Sequence, residues 1–150
     1  MGFAALVTWM AAVFAGLYML MVWLIEDDVT GRDSAPSRLP APVVFSHLAL
    51  ALTGLAAWIG YLILDRQTLA WAAFGLLSAV VLLGGTMFAR WIPVYRAPDP
   101  PPPLIAWQQG VTTSTPPEGS FPVALVAAHG ILAVSTLTLV LLTALGVDGS

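Results

Sequence analysis

The chain has 150 residues, of which 59% are hydrophobic and 9% charged, with a mean hydropathy of +0.89. Ordinary soluble domains are roughly 45–50% apolar and about 25% charged, so this composition excludes a soluble globular protein and directs most of the chain into lipid. The net charge of −3, with five arginines and no basic cluster, argues against a nucleic-acid partner. The absence of cysteine removes disulfides, iron–sulfur clusters, covalent c-type haem and thiolate zinc sites, and the absence of lysine removes Schiff-base chemistry.

In chain order, uninterrupted apolar runs occupy residues 3–25, 43–64, 68–89 and 121–145. A helix of about 20 residues crosses the ~30 Å hydrocarbon core, so each run predicts a transmembrane helix. All Asp, Glu and Arg residues fall outside the four runs. The fold class is therefore all-α: a polytopic, up-down membrane four-helix bundle in a single domain, 1–150. The first run is a poor signal peptide, because it lacks a basic leader and stays apolar well past Val13-Phe14-Ala15. Gly2 lacks the Ser or Thr at position 6 that myristoylation requires, since that residue is Leu6.

The connections differ in character. Residues 26–42 form a polar loop with prolines, and Asp65-Arg66-Gln67 is tight enough to make the second and third spans an antiparallel hairpin. Residues 90–120 form a long Pro-rich loop. Its Pro100–Pro103 run predicts an extended connector, residues 110–119 a flexible surface loop, and Leu104–Trp107 a segment able to dip into the membrane interface. Arg32, Arg38, Arg90 and Arg96 lie in the first and third connections, against Arg66 alone in the second. The excess of positive residues on cytoplasmic loops places loops 26–42 and 90–120 in the cytoplasm and both termini outside. Trp23, Phe45, Trp91 and Phe121 mark one interface, Tyr61 and Trp71 the other. Small residues four apart (Ala12 with Gly16, Ala56 with Gly60, Gly75 with Ala79) predict helix-packing faces, and the hydroxyls of the spans can bond their own backbones or a neighbouring helix.

Chemistry rests on His47 and His129, the only histidines and the only readily ionisable residues inside a span. Both spans start from the same side, which puts the two within roughly 6 Å in depth. In an up-down bundle the second and fourth helices are diagonal, roughly 11–14 Å apart, a gap that suits a metal ion ligated by imidazole from each side. Gly16, Gly84 and Gly85 at that depth leave clearance for a flat macrocycle, and Arg38, Arg90 and Arg96 towards the same surface can meet propionates. Two other readings stand beside this one. A membrane histidine can simply hydrogen-bond a hydroxyl or backbone carbonyl and join two helices. A zinc site would need a third ligand, available only from Glu26, Asp27 or Asp28.

The four-span layout with His47 and His129 resembles the bis-histidine b-type cytochrome membrane subunits. That resemblance implies haem b with the two histidines as axial ligands, electron transfer, quinone as redox partner, and association with other membrane subunits. It implies no catalytic activity of the chain's own. Met87–Arg96 and Ser120–Val147 resemble small four-span proteins of bacterial cytoplasmic membranes without an established activity. A non-catalytic accessory or assembly subunit of a larger, respiratory-type membrane complex is the alternative function.

Overall fold

The computed structural model describes residues 1–30, 36–98, 104–105, 108 and 116–147, with the backbone alone for 27–30. It contains four helices long and apolar enough to cross a membrane. These are α1 (Gly2–Thr30), α2 (Ala41–Leu64), α3 (Gln67–Tyr95) and α4 (Val123–Ala144), with a short 3-10 turn at Pro117–Ser120 before α4. In lipid every backbone polar group must be satisfied within its own segment, which is why such apolar runs become helices. Their outer faces carry large exposed apolar side chains, such as Phe3, Ile63, Leu82 and Ile131, as lipid-facing helices do. The chain is thus a multi-pass membrane four-helix bundle.

The helices pack in a ring. The α2–α3 and α1–α4 pairs interlock most extensively, α3 with α4 less so and α1 with α2 least, leaving α2 and α4 facing each other across the diagonal. Asp65 turns the α2–α3 hairpin in a left-handed conformation (φ 50°), its N–H donating to the Tyr61 carbonyl. At that end the Gln67 side-chain amide donates to the Ala144 carbonyl and so satisfies one exposed acceptor at the end of α4. The main core holds Trp9 and Trp58 in one buried cluster with Ala5, Ala51, Ala70 and Ala73. Without water to expel, helices in a bilayer associate through dispersion and hydrogen bonds, and alanines let the two indole rings be clasped closely. Trp58 Nε1–H donates to the Gly2 carbonyl (3.3 Å), and Thr136 Oγ1–H donates to Thr8 Oγ1 (2.9 Å) across α1 and α4. Thr53, Ser78, Thr86 and Thr138 bond carbonyls of their own helices.

Three expectations change. First, α1 continues past Ile25 to Thr30 and α3 past Ala89 to Tyr95, so Arg90 and Pro93 belong to a helix and not to the loop. Pro93 is tolerated there because it lies in the last turn, where its missing N–H leaves only the Ala89 carbonyl without its helical partner. Second, only one of the three small-residue pairs forms a packing face. Ala12 is buried, whereas Ala56 and Gly75 are exposed, because the buried stripes run through Ala51, Gly54, Leu55 and Trp58 on α2 and through Ala70, Ala73, Leu77 and Val80 on α3. Third, Trp23 and Trp91 are each 6% exposed and are packed into the bundle's end instead of standing out in an interfacial belt.

Candidate functional site

His47 and His129 are each the seventh residue of their helix, about 9 Å along α2 and α4 from the end that carries the long connections. Each ring lies against the antiparallel neighbour of its own pair. His47 Nδ1 is 3.1 Å from the Val80 carbonyl oxygen on α3, and its Cε1 faces Gly84, where a Cβ would come within 3.2 Å. His129 Nδ1 is 2.9 Å from the Ala12 carbonyl oxygen on α1, and its Cε1 faces Gly16 at the same 3.2 Å. The two halves repeat one device, an accepting carbonyl at i with glycine at i+4. In a helix that carbonyl already accepts the N–H of i+4, so the imidazole takes its second lone pair. A side chain at i+4 would stand in the ring's way, and glycine there opens the approach.

A carbonyl oxygen can only accept, so Nδ1 carries the proton on both rings. In the neutral imidazole this leaves Nε2 with a free lone pair, the arrangement in which histidine ligates metals. The ring centroids are 6.2 Å apart with planes inclined by 53°. An imidazole centroid lies about 3.1 Å from a metal it ligates, so two opposed rings on one ion have centroids about 6.3 Å apart. The centroid spacing thus matches that of two imidazoles on one ion, and Nε2 is the nitrogen left on each ring to ligate it. Both rings are half-buried within the spans.

The other expected site residues divide. Gly16 and Gly84 lie directly against the imidazoles, whereas Gly85 is exposed and a Cβ there meets nothing within 4 Å. Arg38 and Arg90 come together: the Arg90 guanidinium donates to the Arg38 carbonyl (3.3 Å), and both border an open groove with Ser37, Pro40, Ala89 and Pro93. Arg90 is six residues beyond Gly84, about 120° round α3 from the face that meets His47. Arg96 sits at the C-cap of α3, exposed. Among the described residues no three His, Asp or Glu side chains gather as a metal-binding group. Asp27 and Asp28, two of the three carboxylates weighed for zinc, have side chains outside the described residues.

A second polar centre lies around Glu118. Glu118 falls in the stretch 110–119 expected to be a flexible surface loop, yet it is fully buried in the 3-10 turn. Its carboxylate accepts the Arg38 N–H (2.6 Å) and the Ser37 hydroxyl (2.9 Å), and its backbone carbonyl accepts Trp91 Nε1–H (3.1 Å). Ser37 Oγ also accepts Trp23 Nε1–H (3.0 Å). This network ties the segments before α2 and before α4 to α1 and α3, closing the bundle at the histidine end. Leu104 and Ile105 are helical and exposed, while the Pro100–Pro103 run, Ala106, Trp107 and residues 109–115 lie outside the described residues.

No protein-family model, curated protein or solved structure matches this chain.

Proposed function

We propose that this protein is a small haem-b-binding membrane subunit that carries electrons, with His47 and His129 as axial ligands. The supporting observation is the pair of diagonal imidazoles, 6.2 Å between centroids, each with Nδ1–H committed to a backbone carbonyl and Nε2 left for a metal. When bound, haem supplies one-electron chemistry. The chain's own residues fix the ring tautomers through Val80 and Ala12, seat the rings over Gly84 and Gly16, and exclude water with apolar helices. The proposal rests on the imidazoles and not on the arginines. Other membrane subunits or quinone would serve as electron partners. The arginine asymmetry favours an orientation with the 26–42 and 90–120 segments inside, and the bacterial cytoplasmic membrane comes from the resemblance alone.

The test is the reduced-minus-oxidised spectrum of protein purified from haem-replete cells. A low-spin b-type signature that disappears in both His47→Ala and His129→Ala supports the proposal, and colourless wild-type protein refutes it. A second reading draws on the same hydrogen bonds. His47 joins α2 to α3 and His129 joins α1 to α4, so the rings can act as helix staples in a non-catalytic accessory subunit. That reading predicts colourless protein that co-purifies with stoichiometric partners in mild detergent.

A further inference from the structure

The groove at the start of α2 is independent of the imidazoles. Its lining includes two exposed arginines, Arg38 and Arg90, brought together from positions 52 residues apart in the chain. Its remaining lining is short or rigid: Ser37, Pro40, Ala89 and Pro93. None of these is acidic. The carboxylate nearest in the hydrogen-bond network, Glu118, is fully buried and spent on the Arg38 N–H and Ser37 hydroxyl. Arg38 is held at both its backbone groups, through Glu118 on the N–H and Arg90 on the carbonyl, which anchors the residue beside the groove.

The groove sits at the start of α2 and the end of α3, where the apolar spans give way to the long connections and a spanning helix would meet the headgroups. Along α3 the stripe Leu82, Thr86, Ala89, Pro93 repeats at i, i+4, i+7 and i+11, so the groove continues into an outward face on which Leu82 is 73% exposed. A cationic notch at headgroup level above an apolar stripe is complementary to a molecule with an anionic head and an acyl tail. Guanidinium pairs suit phosphodiester oxygens bidentately, and basic pockets between membrane helices are recognised lipid sites. We propose that this groove binds the phosphate of an anionic phospholipid headgroup, with an acyl chain lying along the Leu82 stripe.

The experiment is native mass spectrometry of the detergent-solubilised full chain with phosphatidylglycerol or phosphatidylcholine added at equal concentration. Wild type should retain phosphatidylglycerol preferentially. Arg38→Gln/Arg90→Gln should lose that preference by roughly 30-fold, the effect expected of two arginines at an anionic surface, and Arg66→Gln at the opposite end should keep it. Equal retention of the two lipids by wild type overturns the proposal, and that comparison stands even if the double variant fails to fold. A preference that survives in a helical double variant also overturns it. Displacement of the lipid by millimolar inorganic phosphate would assign the groove to a soluble anion and reject the lipid. Haem content is irrelevant to every arm.

Discussion

Replacing Glu118 with alanine removes the acceptor that closes the histidine end of the bundle. The carboxylate receives two donors, the Arg38 N–H at 2.6 Å and the Ser37 hydroxyl at 2.9 Å, in a site without solvent exposure. Hydrogen bonds to charged groups contribute about 1.5–3 kcal/mol each, and an orphaned buried donor costs about 1–3 kcal/mol. Ser37 has an alternative acceptor in the Leu39 carbonyl at 3.3 Å, so its hydroxyl is partly rescued, whereas the Arg38 N–H is left without a partner. Removing the carboxylate also relieves the cost of burying it, which offsets part of the loss. The net expectation is about 2–4 kcal/mol of destabilisation for Glu118→Ala. Glu118→Gln keeps one acceptor oxygen but turns an N–H₂ towards either the Arg38 N–H or Ser37 Oγ, which already accepts from Trp23 and from the Leu39 N–H, so about 1 kcal/mol is expected. Unfolding of the purified protein by titration with sodium dodecyl sulfate, followed by circular dichroism and tryptophan fluorescence, measures both. An alanine variant as stable as wild type would show that desolvation of the carboxylate cancels its bonds, and the reasoning about this network would fail.

Other expectations test the imidazole seats and the helix contacts. Gly84→Ala places a methyl 3.2 Å from His47 Cε1 and should lower the haem-to-protein ratio of purified protein, as should Gly16→Ala against His129. Gly85→Ala meets open space and should leave haem content unchanged while gaining up to about 1 kcal/mol of helix propensity; equal behaviour of the Gly84 and Gly85 variants would discredit the seating argument. Thr136→Val should cost about 0.6 kcal/mol through its bond to Thr8, read as the coupling in a double-mutant cycle with Thr8→Val, and a coupling of zero would mean that α1 and α4 do not share that bond. Trp58→Ala empties the centre of the main core and should destabilise by about 3–5 kcal/mol in the same detergent titration, far more than Trp71→Ala at an exposed position.

The four spans, the α2–α3 hairpin and the diagonal placement of His47 and His129 were legible because each depends on local hydropathy, loop length or helix count. The seats of the two rings were only half legible. Gly16 and Gly84 stood at the right depth, but their partnership with the Ala12 and Val80 carbonyls depends on the rotational phase of α1 and α3, which uniformly apolar sequences do not reveal. Gly85, one residue on, turns outward for the same reason. Glu118 was illegible because its donors lie 80 and 81 residues earlier, and its own surroundings of proline, glycine and threonine have the composition of an exposed loop. The one clue was a single acid next to a span that otherwise starts without charge. Arg90 marked the end of the third span by its charge, yet the helix carries it onward, since a long arginine can reach the interface from the last turns.

The pairing of α1 with α4, and of α2 with α3, bears on how the site comes into being during insertion. The hairpin can close as soon as its two spans are in the membrane, and with it the His47 seat is complete. The other seat waits: the Ala12 carbonyl and Gly16 enter the bilayer first, but the ring they receive arrives with the fourth span, more than a hundred residues later. Biogenesis therefore has a natural checkpoint, because a chain stalled before α4 holds a single imidazole and cannot offer an ion two ligands. Any cofactor that requires both rings is loaded only onto a fully threaded polypeptide.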